Sequence, residues 1–555
     1  MAFNSEQKTI GNKLLAEVVY TIPRNQREYV WGEKNWTELW NDILFAQDDE
    51  NRSHFIGSVV LMDKEEREGI QHYDVIDGQQ RIMTVLLLVA SIMQSYKDRN
   101  EDALYNGLNR FLLSTDLQNK KRCKILSNYQ PSIDVIVEKT AQSTDSFDDI
   151  CKELSNATDK KIVECYAYFY NKLKDLETEE LKQFQLSLLR TNYINITATT
   201  EEDSYTIFEI LNARGMVLED SELLKNFIMR YTRPIADVDR VKNDWDSYFV
   251  TPLGNGLTKY LTHYVRHKYK IPEKKISSYE VIKENNSATT VTDLFKDLKK
   301  KALYYCKIYK PVKIADGGGC SNVEYRVFKF LKAYKGELFR PVLLSLMHAK
   351  EEKQIDENLY KTTLTFLQYF FTCYNLISQE TSNKIQSGVQ RYAFQLESKY
   401  DIIILKEFVV YLLKRLPQKT EFVRSFSTLG WSHCNPAYND SSCKRKVQIA
   451  LSIIELIKSG NENVDEFTIE HLNPDSQSDN NALIGNLLPL EKALNEKCKD
   501  KDLADKIQIY RTSNFRFARD FADQYNPNEF DTIKRARIMA DMIYKELIRV
   551  SDAIK

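Results

Sequence analysis

The 555-residue chain is 43% hydrophobic and 28% charged with a formal net charge of -1, a globular composition rather than a fibrous or disordered one. The near-neutral balance excludes a general electrostatic pull toward nucleic acid, so any DNA binding has to come from a local basic patch or from chemistry at a site. Nine cysteines, odd in number and scattered, fit a reducing compartment better than a disulfide framework.

At this length two or three domains are expected. The 17 glycines and 12 prolines leave little room for disordered linkers. The longest apolar stretch, "IMTVLLLVASIM" at 82 to 93, falls short of the roughly 20 residues a bilayer needs and reads as a buried helix. No uninterrupted apolar segment with a cleavage site stands at the start, so no secretion signal is read and a cytoplasmic protein is expected.

The first quarter reads as mixed α/β. "KNWTELWNDILFA" spaces Trp36, Leu39, Trp40, Ile43 and Leu44 at three- and four-residue steps, one face of a helix. "HFIGSVVLM" and "QHYDVI" are β-rich runs separated by the charged turn "DKEEREG", which predicts a hairpin or a short excursion between two strands. The apolar helix after Gly78 then completes a strand, turn, helix unit.

That unit begins with "DGQQR", Asp77 to Arg81. A helix start offers unpaired backbone N–H groups and a partial positive charge, and Gly78 lets another group approach the backbone closely. Arg81 in the first turn opposes the helix dipole by about 0.3 to 1 kcal/mol unless an anion offsets it. That anion is either a bound phosphate, which Arg81 would grip with two donors, or simply Asp77. Both readings stay open at this point.

Three segments together narrow the choice. "IPRNQREYVW" at 22 to 31, "DGQQRIMTVLLL" at 77 to 88 and "FEILNARGMVLEDSELLKNFI" at 208 to 228 resemble, in order, the signature segments of the GmrS-like domain, which is related to the ParB and sulfiredoxin fold. The resemblance covers roughly the first 230 residues. It implies nucleoside triphosphate binding and hydrolysis, with the phosphates at "DGQQR". The residues it implicates are Gln26 and Arg27, then Asp77, Gln79 and Arg81, then Asn212, Arg214 and Lys225.

Each has a physical case. Planar guanidinium donors at Arg27, Arg81 and Arg214 match phosphate oxygens, and Asp77 could hold magnesium or position a water, since hard cations prefer oxygen ligands. Tyr29 and Trp31 could stack on a base but read better as core beside a Trp-rich helix. Lys225 lies on an amphipathic helix, where a solvated face serves as well as a site.

From about 233 to 440 the pattern is helical, with Tyr, Phe and Leu at helical spacing in "VEYRVFKFLKAYKGELFRPVLLSLMHA" and "NLYKTTLTFLQYFFTCYNLI". These are packing surfaces rather than a cofactor box. "DGGGC" at 316 to 320 lacks the Gly-Lys-Ser/Thr of a phosphate loop and reads as a surface loop. His433, Cys434 and Cys443 have no fourth partner at zinc-like spacing.

"FTIEHLNPDSQSDNNALIGNLLPLEKALNEKC", Phe467 to Cys498, predicts a strand ending at His471, a polar loop, a second strand and a helix carrying Asn495. Phosphodiester hydrolysis needs a base for water and a cation for the developing charge. Histidine is the natural base near neutrality, and Glu470 and Asn495 offer oxygen ligands suited to Mg2+ or Mn2+. Asn486 is expected to bridge backbone groups and keep the loop's shape. Adjacent strand residues face opposite ways, which counts against Glu470 sharing a metal with His471.

Glu470, His471, Pro474, Gly485, Asn486, Leu487, Leu494 and Asn495 resemble the pattern of the GmrD-like branch of HNH nucleases, and "FDTIKRARIMADMIYKEL" resembles that domain's terminal helix. The likeness covers roughly 441 to 555. It departs at "HLNPD", where the family more usually has an apolar residue before Pro474 and a glutamine after it. An α+β, multidomain chain is therefore expected: a ParB/sulfiredoxin-like nucleotide-binding domain at 1–232, a helical region at 233–440, and a ββα-metal (HNH) nuclease domain at 441–555. The paired resemblance implies a single-chain restriction system acting on modified phage DNA in a bacterium or archaeon, with nucleotide state biasing the nuclease. Two other readings share these residues: a nucleotidase sensor with a DNA-binding but non-cleaving C-terminal domain, and an RNA-directed HNH toxin.

Overall fold

Runs of β-branched residues such as "FIGSVVLMD" and the long apolar periodicity after Gly78 fold as their patterns direct. A computed structural model describes residues 3–23, 26, 28–47, 54–127, 131–200, 203–204, 207, 219–232, 240–270, 277–462, 466–499, 501–526 and 529–555. The chain is α+β and mostly helical, and divides into two units, Met1–Lys242 and Asn243–Lys555. No helix among the described residues is long and apolar enough to cross a membrane.

The first unit is built on a six-stranded mixed sheet. Its strands are β1 (Phe3–Thr9), β2 (Val18–Thr21), β3 (Phe55–Asp63), β4 (Gln71–Asp77), β7 (Ile125–Leu126) and β8 (Asn192–Ala198), in the order β1-β8-β3-β4-β2-β7; β5 (Leu113–Thr115) and β6 (Lys121–Cys123) form a separate ribbon. β3 and β4 pair antiparallel across the charged turn, as the sequence predicts, and their register slips at Val60/Leu61, beside the Val60 and Asp77 pair. β3 runs parallel to β8, and β2 parallel to β4.

Helices α1 (Glu33–Gln47), α2 (Gln79–Asp98), α3 (Asp102–Leu112), α4 (Pro131–Gln142), α5 (Phe147–Glu153), α6 (Lys160–Leu173), α7 (Thr178–Arg190) and α8 (Asp220–Tyr231) surround and follow the sheet. α1 buries Trp36, Leu39, Trp40 and Ile43, with Leu44 packed at the edge of the same core. α2 lies against α3, α4, α6 and α7. From residue 79 to 96 every position of α2 is buried except Arg81. A helix buried on every side has to be central, and the one residue of that stretch left partly exposed sits at its first turn.

The second unit opens with long helices, among them α9 (Leu257–Lys268), α10 (Val291–Tyr309), α11 (Asn322–Ala333), α12 (Arg340–Glu351) and α13 (Asn383–Ser398). Their interior is not purely apolar. Glu397, 3% exposed, accepts from Lys301 at 2.8 Å and faces His348 Nδ1 at 2.9 Å. After α14 (Ser441–Ser459) come β9 (Thr468–His471), β10 (Leu487–Leu490), α15 (Lys492–Cys498), α16 (Leu503–Tyr510), α17 (Arg516–Gln524) and α18 (Thr532–Asp552). β9 and β10 pair antiparallel, with His471 opposite Leu487 and Glu470 opposite Leu488. Strand, loop, strand and helix follow in the order expected from the sequence.

Candidate functional site

The β4–α2 turn is shaped by glycine. Gly78 has φ +90° and caps α2 without any side-chain bond, and a Cβ there would meet Val59 Cγ2 at 3.0 Å and Ser58 O at 3.2 Å. β3 therefore lies against the helix start, which only a residue lacking Cβ permits. Arg81 Nη1 donates to Ser58 O at 3.1 Å, and its guanidinium lies over Gly57, where an added Cβ would be 3.2 Å from Nε. Asp77 Oδ2 is 3.9 Å from Arg81 Nη1, at the outer limit of an ion pair, with both side chains about a third exposed (30% and 31%). The internal pair exists, yet the nearer partner of Arg81 is a neutral carbonyl. Its charge is only loosely answered.

Gln26 Nε2 donates to Ile76 O at 2.7 Å, which brings the first sequence segment to the end of β4. Gln79 is buried at the helix start. Gln80, which the sequence reading left without a role, does most of the tying: its Oε1 accepts from Val30 N at 2.8 Å and Trp31 N at 3.3 Å, and its Nε2 donates to Glu28 O at 3.1 Å. Glutamine fits because one amide both accepts and donates. Tyr29 is 4% exposed, accepts from Trp36 Nε1 at 2.9 Å and bonds Thr84 Oγ1 at 2.7 Å, so it is core. Lys225 is half-buried on α8. Arg27, Asn212 and Arg214 lie outside the described residues.

The second site centres on His471, at the end of β9. Its Nε2 stands 2.8 Å from Trp431 O. A carbonyl only accepts, so Nε2 carries the hydrogen and the lone pair of the neutral ring is on Nδ1. Burial pushes the His471 pKa below its usual value, while the Trp431 carbonyl and Asp475 pull the other way. The side chain is 14% exposed, so a small reactant can reach it.

Asp475 follows one turn of loop later, with Oδ2 3.9 Å from His471 Nε2. Burial disfavours its charge, but the Ser432 hydroxyl at 2.7 Å and the backbone N–H of His433 at 3.0 Å hold its carboxyl below the usual range. Ser432 Oγ in turn accepts from Cys434 N and Asn435 N. Neither Trp431 nor Ser432 carried a signal in the sequence. Asp475 did, as the unusual residue after Pro474.

Asn486 is fully buried, accepts from Asn473 N at 3.0 Å, and donates to Asn473 O at 2.7 Å and Asn481 O at 2.8 Å. All its bonds serve the loop's shape. Gly485 lies against Thr532 O with no room for a side chain, and Arg535 Nη1 clasps Gly485 O at 2.7 Å and Leu487 O at 3.1 Å. Asn495 is half-buried on α15 and donates from Nδ2 to Ile469 O at 3.2 Å.

Glu470 lies elsewhere. Strand alternation turns it away from His471, and its 4%-exposed carboxylate takes Lys506 Nζ at 2.9 Å and the Tyr510 hydroxyl at 2.9 Å. Lys506 Nζ also donates to His471 O at 2.8 Å. Burial and the neighbouring Glu470 charge push the Tyr510 pKa far up, so the phenol stays a donor. Both bonds fall on Oε1, which ties the Glu470 carboxylate to α16 on the side of the strand away from the His471 side chain. Asn495 keeps its Oδ1, the donor type a hard cation takes, and such cations need few protein ligands when water and phosphate complete the shell. Among the described residues no group of three or more His, Cys, Asp or Glu side chains is placed to hold a metal.

Residues 5–229 match the family model "GmrSD restriction endonuclease, N-terminal domain", and residues 432–542 match "GmrSD restriction endonucleases, C-terminal domain". Both matched stretches contain the sites just described, in the order of one two-part enzyme, and together they take in more than half of the chain. The class is a restriction nuclease of a defence system, with DNA as partner. The chain belongs to the GmrSD restriction endonuclease family. No curated protein matches it.

Proposed function

We propose that the chain is a divalent-metal-dependent DNA endonuclease of antiphage defence, acting on modified DNA and governed by a nucleoside triphosphate. In this reading the N-terminal unit is a ParB/sulfiredoxin-like nucleotidase, residues 233–440 are a helical regulatory region, and the C-terminal part is an HNH nuclease of the ββα-metal kind. The observation that carries the nuclease reading is the bond from His471 Nε2 to Trp431 O at 2.8 Å. It presents Nδ1 as a base in a partly buried setting where the neutral imidazole is favoured.

The step follows from that geometry. His471 Nδ1 takes a proton from water, the hydroxide attacks phosphorus, and the bond to the sugar oxygen on the far side breaks. Mg2+ or Mn2+, held by Asn495 Oδ1 with phosphate and water, would stabilise the charge growing on the leaving oxygen. Asn486 keeps the 472–486 loop folded around the base, and Lys506 holds the His471 backbone from behind.

For the nucleotide, Arg81, Gly78, Gln79 and the N–H groups at the start of α2 supply the phosphate contacts. Asp77 would hold an accompanying cation, Gln26 and Lys225 would add further contacts, and Arg27, Asn212 and Arg214, outside the described residues, are the remaining contacts that the family resemblance implies. What supports this is the single interruption of a buried helix by a loosely paired arginine.

The test incubates purified protein with modified and unmodified plasmid and phage DNA, in Mg2+ or Mn2+, with and without each nucleoside triphosphate, beside His471→Ala and Arg81→Ala. Cutting by the wild type, lost in His471→Ala and unresponsive to nucleotide in Arg81→Ala, is the expected result. Nucleotide hydrolysis with no DNA cleaved under any condition would overturn the nuclease reading.

A further inference from the structure

α14 begins in an unusual way. Its first turn holds no acidic residue, and Lys444, Arg445 and Lys446 follow in its second, at the end of the helix where the backbone dipole disfavours cations. Asp440 answers part of this: its carboxylate is bonded to the backbone N–H of Cys443 as the helix cap and also draws on the charge of Lys446, while among the described residues Lys444 and Arg445 have no such acid.

Beside this turn lies a cavity of about 420 Å3, the size of pocket that accommodates a nucleotide-sized ligand. Lys335, Arg445 and Lys446 line it, with Tyr334, Asn375 and Gln379, and its lining contains no carboxylate. In a chain whose overall charge is -1, three cations around one hollow without an acid are a local exception. Among the described residues no carboxylate stands within ion-pair distance of Lys335, Lys444, Arg445 or Lys446.

The hollow also has a stacking surface. Arg445 Cζ lies 5.8 Å from the centre of the Tyr334 ring, so a planar base on that ring would have a guanidinium at hand. Lys335, just past the end of α11, has φ +59° and Gln379 φ +57°, and both side chains line the hollow.

The cationic row does not stop at the cavity. Lys444 Nζ lies 5.1 Å from the Trp431 ring centre, and the carbonyl of that same tryptophan takes the His471 Nε2 hydrogen. A free nucleotide would need one cluster of cations; a strand needs them in a row leading to the base.

We propose that the cavity between the 334–335 and 375–379 turns and the start of α14 binds one nucleotide of the DNA strand that His471 cleaves. The base stacks on Tyr334, and Lys335, Arg445 and Lys446 take the flanking phosphates. This rests on the nuclease reading above and adds where the strand enters. Arg445 and Lys446 touch neither the reacting atoms nor the His471 network.

The experiment measures binding of fluorescein-labelled single strands and duplexes by anisotropy over a salt series, on the full chain carrying His471→Ala so that nothing is cut. Adding Arg445→Ala and Lys446→Ala is expected to weaken binding about tenfold or more and to lower the salt slope by about 1 to 2, one phosphate contact per side chain. Tyr334→Leu is expected to weaken single-strand binding about tenfold, and Tyr334→Phe to restore it, because the ring and not the hydroxyl stacks. Unchanged affinity and slope in the double variant, with DNA still bound, would overturn the subsite and leave the nuclease reading standing. Absence of DNA binding by the His471→Ala chain itself would overturn both. Adenosine triphosphate competing with DNA, and losing affinity in the same variants, would reassign the cavity to free nucleotide. Should any variant melt early, photocrosslinking an iodouracil strand to the unsubstituted chain without divalent metal decides: a Tyr334 adduct supports the subsite, and adducts only elsewhere overturn it.

Discussion

His471 donates its Nε2 hydrogen to the carbonyl oxygen of Trp431 at 2.8 Å. The tautomer of the candidate base is thus set by a main-chain atom from a distant loop, and a substitution at Trp431 does not delete that acceptor. The Trp431 side chain itself is buried and packs on His433, so its role is to hold that carbonyl in place.

His471→Ala is therefore expected to reduce DNA cleavage by about 10²-fold or more, the scale of a lost general base, while DNA affinity stays within a few-fold. Single-turnover cleavage and anisotropy on the same preparation read both. Comparable losses in binding and cleavage would make His471 a binding residue.

The pH dependence has a definite sign. Burial lowers the His471 pKa, and the base works when neutral. Cleavage should fall on acidification through an apparent pKa below the usual 6.5 and lie flat from there to pH 8. The same shift makes the folded state bind fewer protons than the unfolded one, so this group's contribution to stability is lost as pH falls below the unfolded value. A rate profile rising through a pKa well above 6.5 would assign the base to another group.

Glu470 separates a structural role from a metal role. Its carboxylate answers the 2%-exposed Lys506, and removing one partner of a buried pair costs about 3 to 5 kcal/mol. Glu470→Ala is expected to lower the melting temperature sharply, and Glu470→Leu with Lys506→Met to recover much of the loss. A variant that melts like the wild type but needs far more Mg2+ for cleavage would make Glu470 a metal ligand.

Asn486 makes three hydrogen bonds to the backbone from a fully buried amide. Asn486→Asp replaces the donor by an oxygen facing the carbonyls of Asn473 and Asn481. It should destabilise more than Asn486→Ala, for which about 1 to 3 kcal/mol is expected from stranded partners. Chemical denaturation of the two variants ranks them.

In the N-terminal unit, Arg81→Ala should abolish nucleotide hydrolysis with little change in melting, since its protein partners are one carbonyl at 3.1 Å and a carboxylate at 3.9 Å. Gln80→Ala should do the reverse in kind and destabilise, because it frees the backbone at 28–31. Hydrolysis assays beside thermal melts distinguish the two neighbours.

What the sequence by itself determined was local. The Trp36, Leu39, Trp40 and Ile43 face of α1, the β3–β4 hairpin, the buried α2 after Gly78, and the strand, loop, strand, helix order around His471 are all set by short-range periodicity and turn chemistry. The suspicion against Glu470 came the same way, from strand alternation, whereas the expectation that Asn486 braces its loop came with the nuclease reading of the segment. The tertiary structure alone decided who answers whom: Lys506 and Tyr510 for Glu470, the Trp431 carbonyl for His471, Ser432 for Asp475, and Ser58 for Arg81. Such pairings join residues far apart in the chain, where no local period carries information. They form because burying each of these polar groups is tolerable only when a partner comes with it.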